Sequence, residues 1–193
     1  SSRVQGFTPF KQFANNQWQA AAEYPAGDVR GYAALSAVGG HPGRDPGHAV
    51  IRRWHAPVSG AVHVRGKVKH PSPNGDGVVA RLVSSRAGAL GEWKAVHGEA
   101  PARLSDIRVE AGETLDFVLE CGGDDNSDSF EWTPEITLTA ASAAGMSGRS
   151  SWNARVDFSG PLPVRRPLSP WERYAQALLA RSEEHTSELQ SRG

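Results

Sequence analysis

The chain of 193 residues holds a single cysteine, Cys121, and a single methionine. One thiol cannot build an internal disulfide framework, a thiolate zinc cluster or a two-cysteine haem attachment within this stretch. Cys121 falls on the apolar parity of its strand pattern, which makes it a core thiol that behaves as a small hydrophobe. Net charge is also missing, because Lys plus Arg and Asp plus Glu are each 21. A neutral chain has no global field to draw nucleic acid or an anionic membrane, so neither is expected as a partner. No apolar run approaches the roughly 20 residues of a membrane-spanning helix. The N-terminus lacks a basic region followed by an apolar core, so no signal peptide is read there. With no initiating Met, the expectation is a piece cut from a longer chain. A Walker loop, a nucleophile elbow, an HExxH pair and a dinucleotide fingerprint are all absent from the sequence. No motif therefore argues for an enzyme.

What the chain does have is turn chemistry and alternation. Ala61-Val62-His63-Val64-Arg65-Gly66-Lys67-Val68-Lys69 sends Val62, Val64, Gly66 and Val68 one way and a basic row the other. Successive side chains of a strand point to opposite faces, so this is a half-buried strand with a wet outer side. Leu115, Phe117, Leu119 and Cys121 repeat the device. Residues 78–83 are β-branched and apolar, hence more fully buried. Phe130, Trp132, Ile136 and Leu138 keep one parity across Pro134, which lacks a ladder donor and predicts an edge strand or a bulge. Gly, Pro, Asn and Asp cluster between these runs, where glycine permits positive φ and Asn or Asp bonds its own backbone. Short strands at this spacing predict an all-β fold, an antiparallel β-sandwich of jelly-roll type, closed by a short C-terminal helix.

Taken in order, residues 1–14 read as an irregular strap and 15–140 as the sandwich. First strands are expected at 17–24 and 31–37. The Gly- and Pro-dense stretch 39–48 is expected to exclude regular structure. Strands follow at 48–55 and 103–110, and Gly88-Ala89-Leu90-Gly91 reads as a glycine turn. Residues 141–168 read as a linker with one edge strand near Trp152. Ser169 caps a helix at 169–180, with Pro170 at its first position and Glu172 three residues after the cap. Residues 181–193 match, up to Ser191, what a common short-read sequencing adapter encodes in one frame. They are set aside as artefact, and removing two arginines and three glutamates leaves the net charge at +1.

Candidate sites rest on three groups. Asp124, Asp125, Asn126 and Asp128 offer hard oxygens suited to calcium, although the spacing is not that of a helix-loop-helix calcium loop. Asp76 and Asp116 join that set only if their loops converge. His41, Asp45 and His48 could together hold a metal ion. Among the six tryptophans, Trp54 and Trp132 fall within strands and read as core. Trp18, Trp93 and Trp152 lie nearer strand ends, where an indole face can stack on a sugar ring. Trp93 with Lys94 and His97, together with Trp18, forms the expected ligand-binding set.

A resemblance adds to this. Gly39-Gly40-His41-Pro42-Gly43, then Ala49-Val50-Ile51-Arg52-Arg53-Trp54-His55-Ala56-Pro57, resembles the late β-module of large planctomycete-type multidomain proteins. Gly75-Asp76-Gly77-Val78, residues 84–88, residues 111–118 and Asn126-Ser127-Asp128-Ser129-Phe130-Glu131-Trp132 are similar in the same way. Residues 168–179 resemble that family's closing helix. Those proteins carry a cytochrome-c-like haem module upstream and two domains of unknown function. The resemblance implies an exported, extracytoplasmic parent with a role in polysaccharide turnover, and neighbouring domains as partners. It places haem outside this stretch and carries over no catalytic residue. The expected function is a non-catalytic, carbohydrate-binding-like module that takes a polysaccharide. The alternatives are a structural docking sandwich with no ligand and an enzyme fragment that lends loops to a site elsewhere.

Overall fold

The alternating runs become two antiparallel sheets. The computed structural model describes residues 6–141, 148–162, 169–171 and 174. The chain divides into two units, Ser1–Gly160 and Pro161–Gly193. In the first, the smaller sheet contains β5 (Val50–His55), β7 (Val78–Ser84), β8 (Gly88–Ala95) and β10 (Thr114–Cys121), ordered β5-β10-β7-β8. The larger sheet contains β1 (Gln12–Ala14), β2 (Gln17–Gln19), β3 (Ala34–Ser36), β4 (Gly39–His41), β6 (Gly60–Lys69), β9 (Glu99–Val109), β11 (Phe130–Trp132), β12 (Glu135–Ala141) and β13 (Ser151–Asn153). Its order is β1-β2-β3-β4-β11-β6-β12-β13, with β9 on the other flank of β6. From β4 to β11 the chain passes back and forth between the sheets, apart from the β7–β8 hairpin. This is the expected all-β antiparallel sandwich.

The core is the space between the two inner faces. Val62, Val64 and Val68 of β6 and Leu115, Phe117 and Leu119 of β10 are all buried, joined by Val78, Ala80, Leu82, Phe130, Trp132 and Ile136. Fully burying one such side chain stabilises by about 1.5–3 kcal/mol. The basic row of β6 stays outside, where Lys67 pairs with Glu99 at 2.6 Å. Opposite His63, β9 has one residue too many, and the bulge takes Asp106 to a φ of +57°. β10 is covered on both sides, because it lies between β5 and β7. Its outer carboxylates are held across the sheet, Asp116 by Nε and Nη2 of Arg53 (2.7 and 2.8 Å) and Glu120 by Arg81 at 2.6 Å.

Several expected boundaries shift. Residues 39–48 are not irregular throughout: Gly39–His41 is β4, and Pro46–His48 is a 3-10 turn capped by Asp45. A Cβ on Gly39 or Gly40 would run into the carbonyl oxygens of Phe130 and Ala34, so only glycine lets β4 sit between its neighbours. Gly88 to Gly91 opens β8 instead of forming a turn. The strap ends in β1, which pairs with β2. The expected strands at 17–24 and 31–37 shrink to three residues each. Pro134 lies inside the sheet, not at an edge. It breaks 130–141 into β11 and β12, both paired to β6, and at the break the outer neighbour changes from β4 to β13. β13 is the edge strand expected near Trp152. Of the closing helix, Pro170, Trp171 and Tyr174 are helical, and the two rings meet edge-on at 6.2 Å. Its remaining residues, the adapter-like tail and residues 1–5 lie outside the described residues, which include no helix of seven residues or more.

Glu113 fastens the turn before β10. Its buried carboxylate accepts from Ser84 Oγ (2.5 Å), the Glu110 N–H (2.9 Å) and Arg86 Nε (3.2 Å). Burial alone would raise its pKa, but these donors outweigh burial and hold it below the ordinary glutamate value. A carboxyl depressed in the folded state stabilises above its unfolded pKa, about 4.3, and loses that contribution as pH falls through the folded value. Glu113→Gln is expected to cost about 1.5–3 kcal/mol at pH 7 in urea denaturation. The gap to wild type should narrow on acidification below about pH 4.

Candidate functional site

The loops that carry the expected calcium ligands do converge, but they bind one another. His70, at the end of β6, is completely buried, as is Asp128. His70 Nδ1 accepts from the His97 N–H at 3.0 Å, which leaves the proton on Nε2. Nε2 then donates to Ser127 O at 3.0 Å and lies 3.3 Å from Asp128 Oδ1. Asp128 Oδ1 also accepts from the Gly77 N–H at 3.2 Å. The loop after β6 passes so close that a Cβ on Gly75 would stand 2.7 Å from that same oxygen. Asp76 accepts from the Gly123 N–H, and Asp124 from the Asn126 N–H at 2.8 Å. Asp116 is far from these loops in function, being spent on Arg53 in the middle of the smaller sheet. Among the described residues no three of His, Cys, Asp or Glu are placed to hold one ion. The His41–Asp45–His48 group separates as well. His48 Nδ1 meets Asp45 at 2.9 Å, while buried His41 turns to Pro42 O.

The expected ligand set is likewise spread out. Trp93 pairs with Ala80 and faces the core, edge-on to Trp132 at 6.3 Å. Lys94, its neighbour on the strand, faces solvent on the other side. His97 sits in the β8–β9 turn with a φ of +48°, and its Nε2 contacts Gly75 O at 2.8 Å. Trp18 belongs to the larger sheet, where it meets the cavity described next.

A cavity of about 390 Å³ opens where β5, the edge strand of the smaller sheet, faces the larger one. Seven aromatic side chains line it: Phe7, Phe10, Trp18, Trp54, Phe117, Trp152 and Phe158. Pro134 and Ile136 stand beside the break in the larger sheet and complete the apolar wall. Trp54 and Trp152 pack edge-to-face at 5.2 Å, as do Phe13 and Trp18. Trp18 Nε1 donates to Ser159 O at 2.9 Å, which ties the β1–β2 ribbon to the segment after β13. Polar residues are few on this wall: Arg52, Arg53, Asn153, Asp157 and Ser159. Asp157 is held below the usual carboxylate range by Arg149, which donates to it at 2.6 Å.

Sequence reasoning placed Trp54 in the core and did not single out Arg52 or Phe158. Trp54 does pack against the core, while part of it stays exposed to the cavity. The signal was there in Val50-Ile51-Arg52-Arg53-Trp54, because two consecutive arginines in a strand cannot both face solvent. Compared with known proteins, the chain matches no family model, no curated protein and no solved structure.

Burial, above all, raises the pKa of Asp128, with the Asp76 carboxylate adding to it against the pull of the Gly77 N–H and His70. The native state therefore takes up this proton before the unfolded chain does, so this group stabilises progressively as pH falls through its folded pKa, opposite to Glu113. Asp128→Asn removes the dependence. Wild type should gain stability relative to this variant as pH falls from neutral towards the unfolded aspartate value of about 3.9, read from paired urea melts. A gap that stays constant would show that Asp128 does not titrate differently on folding.

Proposed function

We propose that the chain is a non-catalytic, carbohydrate-binding-like module whose binding site is the aromatic cavity beside β5. The observation that carries this is the wall itself. Phe7, Phe10, Trp18, Trp54, Trp152 and Phe158 gather around one cavity with a small number of polar groups, the usual make-up of a small-molecule site. Indole and phenyl faces match the apolar faces of sugar rings, and Asn153 and Arg52 can meet hydroxyls. Binding is favoured over hydrolysis by the same wall. A glycosidase needs a pair of carboxyl groups flanking the bond, and Asp157 is the single acid among the lining residues. In keeping with the resemblance above, we place this module in an exported, extracytoplasmic protein, beside other domains that turn over polysaccharide.

Isothermal titration against a panel of soluble oligosaccharides tests the proposal. Trp152→Ala is expected to weaken the best binder about tenfold, the equivalent of about 1.4 kcal/mol, with near-native thermal unfolding. Loss of binding in Lys94→Ala with binding intact in Trp152→Ala would move the site to β8. Failure of the whole panel would remove the carbohydrate reading.

A further inference from the structure

β5 carries Arg52 and Arg53 side by side, and alternation sends them to opposite faces. Arg53 faces out, where Asp116 neutralises it and the Phe7 ring lies 4.6 Å from its guanidinium. Arg52 pairs with Phe117 across the ladder, and it shares the inner face with Val50 and Trp54. Its Nη2 donates to Ser36 O at 2.7 Å. Its Nη1 is shut off from solvent and has no hydrogen-bond partner. Among the described residues no carboxylate forms an ion pair with it: Asp116 and Asp157, the nearby candidates, are held by Arg53 and Arg149. Burial lowers its pKa to about 10, so it remains a cation at neutral pH. Trp54 Nε1 is a second buried donor with no partner, on the same cavity wall. A buried charge without a counter-charge is costly to keep, and burial of unpaired donors adds to the cost.

We infer that the cavity takes a carboxylate onto Arg52, with Trp54 Nε1 as second donor and the aromatic side chains enclosing the ring that bears it. Insofar as this rests on the carbohydrate reading above, the ligand is a uronic acid unit of an acidic polysaccharide. The charge count selects a carboxylate over a phosphate. Arg53 is already neutralised, so the wall offers one uncompensated positive charge, which suits a monoanion. A neutral sugar would leave Nη1 without a counter-ion.

The test uses the full chain in isothermal titration with tri-galacturonate, its methyl ester, the neutral galactose trimer and benzoate. The acid is expected to bind, and both the ester and the neutral trimer to bind at least about tenfold more weakly. Arg52→Met should lose the acid by a similar factor, yet unfold at the same or a higher urea concentration, since it removes an uncompensated buried charge. Arg52→Lys keeps the charge without the planar fork and should fall between the two. Equal binding of acid and ester by the unaltered chain overturns carboxylate recognition and leaves the sugar-binding module standing, and this comparison holds even where a variant fails to fold. Unchanged acid binding in Arg52→Met overturns it as well. Benzoate binding that depends on Arg52, with no sugar bound, keeps carboxylate recognition and removes the carbohydrate reading. No binding of any of the four overturns both.

Discussion

The packing of β6 against β10 is the contact on which the remaining structure depends. Each strand is central in its sheet, and each contributes an apolar row to the shared core: Val62, Val64 and Val68 from β6 and Leu115, Phe117 and Leu119 from β10. Sheet-on-sheet burial of this kind supplies most of the driving force in a chain with one thiol and no described helix of seven residues or more. It also dictates what polar side chains do. Outer charges on β10 must be neutralised across the sheet, as Asp116 and Glu120 are by Arg53 and Arg81. An inner charge has no such escape, which is why Arg52 stands apart.

The two regions where loops and edges meet have opposite characters. Around His70 and Asp128 three loops are knitted together, and backbone N–H groups of Gly77, His97 and Gly123 each find a side-chain acceptor. Beside β5 the packing is incomplete. Aromatic side chains surround space instead of filling it, and two buried donors, Arg52 Nη1 and Trp54 Nε1, have no acceptor. Loop ends cross-linked by internal hydrogen bonds make a rigid frame, and a frame of that kind can hold an underfilled cavity open.

Alternation was legible wherever a strand has one wet face. Residues 61–69 and 115–121 follow their sequence pattern, and Phe130, Trp132, Ile136 and Leu138 keep a common side through the break at Pro134. What misled was glycine. In Gly39-Gly40 and Gly88 to Gly91 its usual meaning is a turn, but here close approach of neighbouring backbones demands a strand without side chains in β4. The acidic run 124–128 misled in another way, since a local sequence cannot say that Asp128 points inward to a histidine 58 residues earlier. The cavity was the least legible feature. Its wall draws on β2, β3, β5, β10, β12 and β13, and only tertiary structure brings Trp18, Trp54 and Trp152 together. Arg52 was nonetheless within reach, from the parity of five residues.

Cys121 closes the inner face of β10, opposite Val78, and it is the chain's sole sulfhydryl. Burial, with the Asp128 carboxylate adding to it, pushes its pKa up to about 11. Thiolate is therefore scarce at neutral pH, and reagent cannot reach the sulfur while β7 and β10 stay zipped. Alkylation of this one atom consequently acts as a clock for local opening at the heart of the smaller sheet. Ligand-induced tightening could be timed without introducing any label.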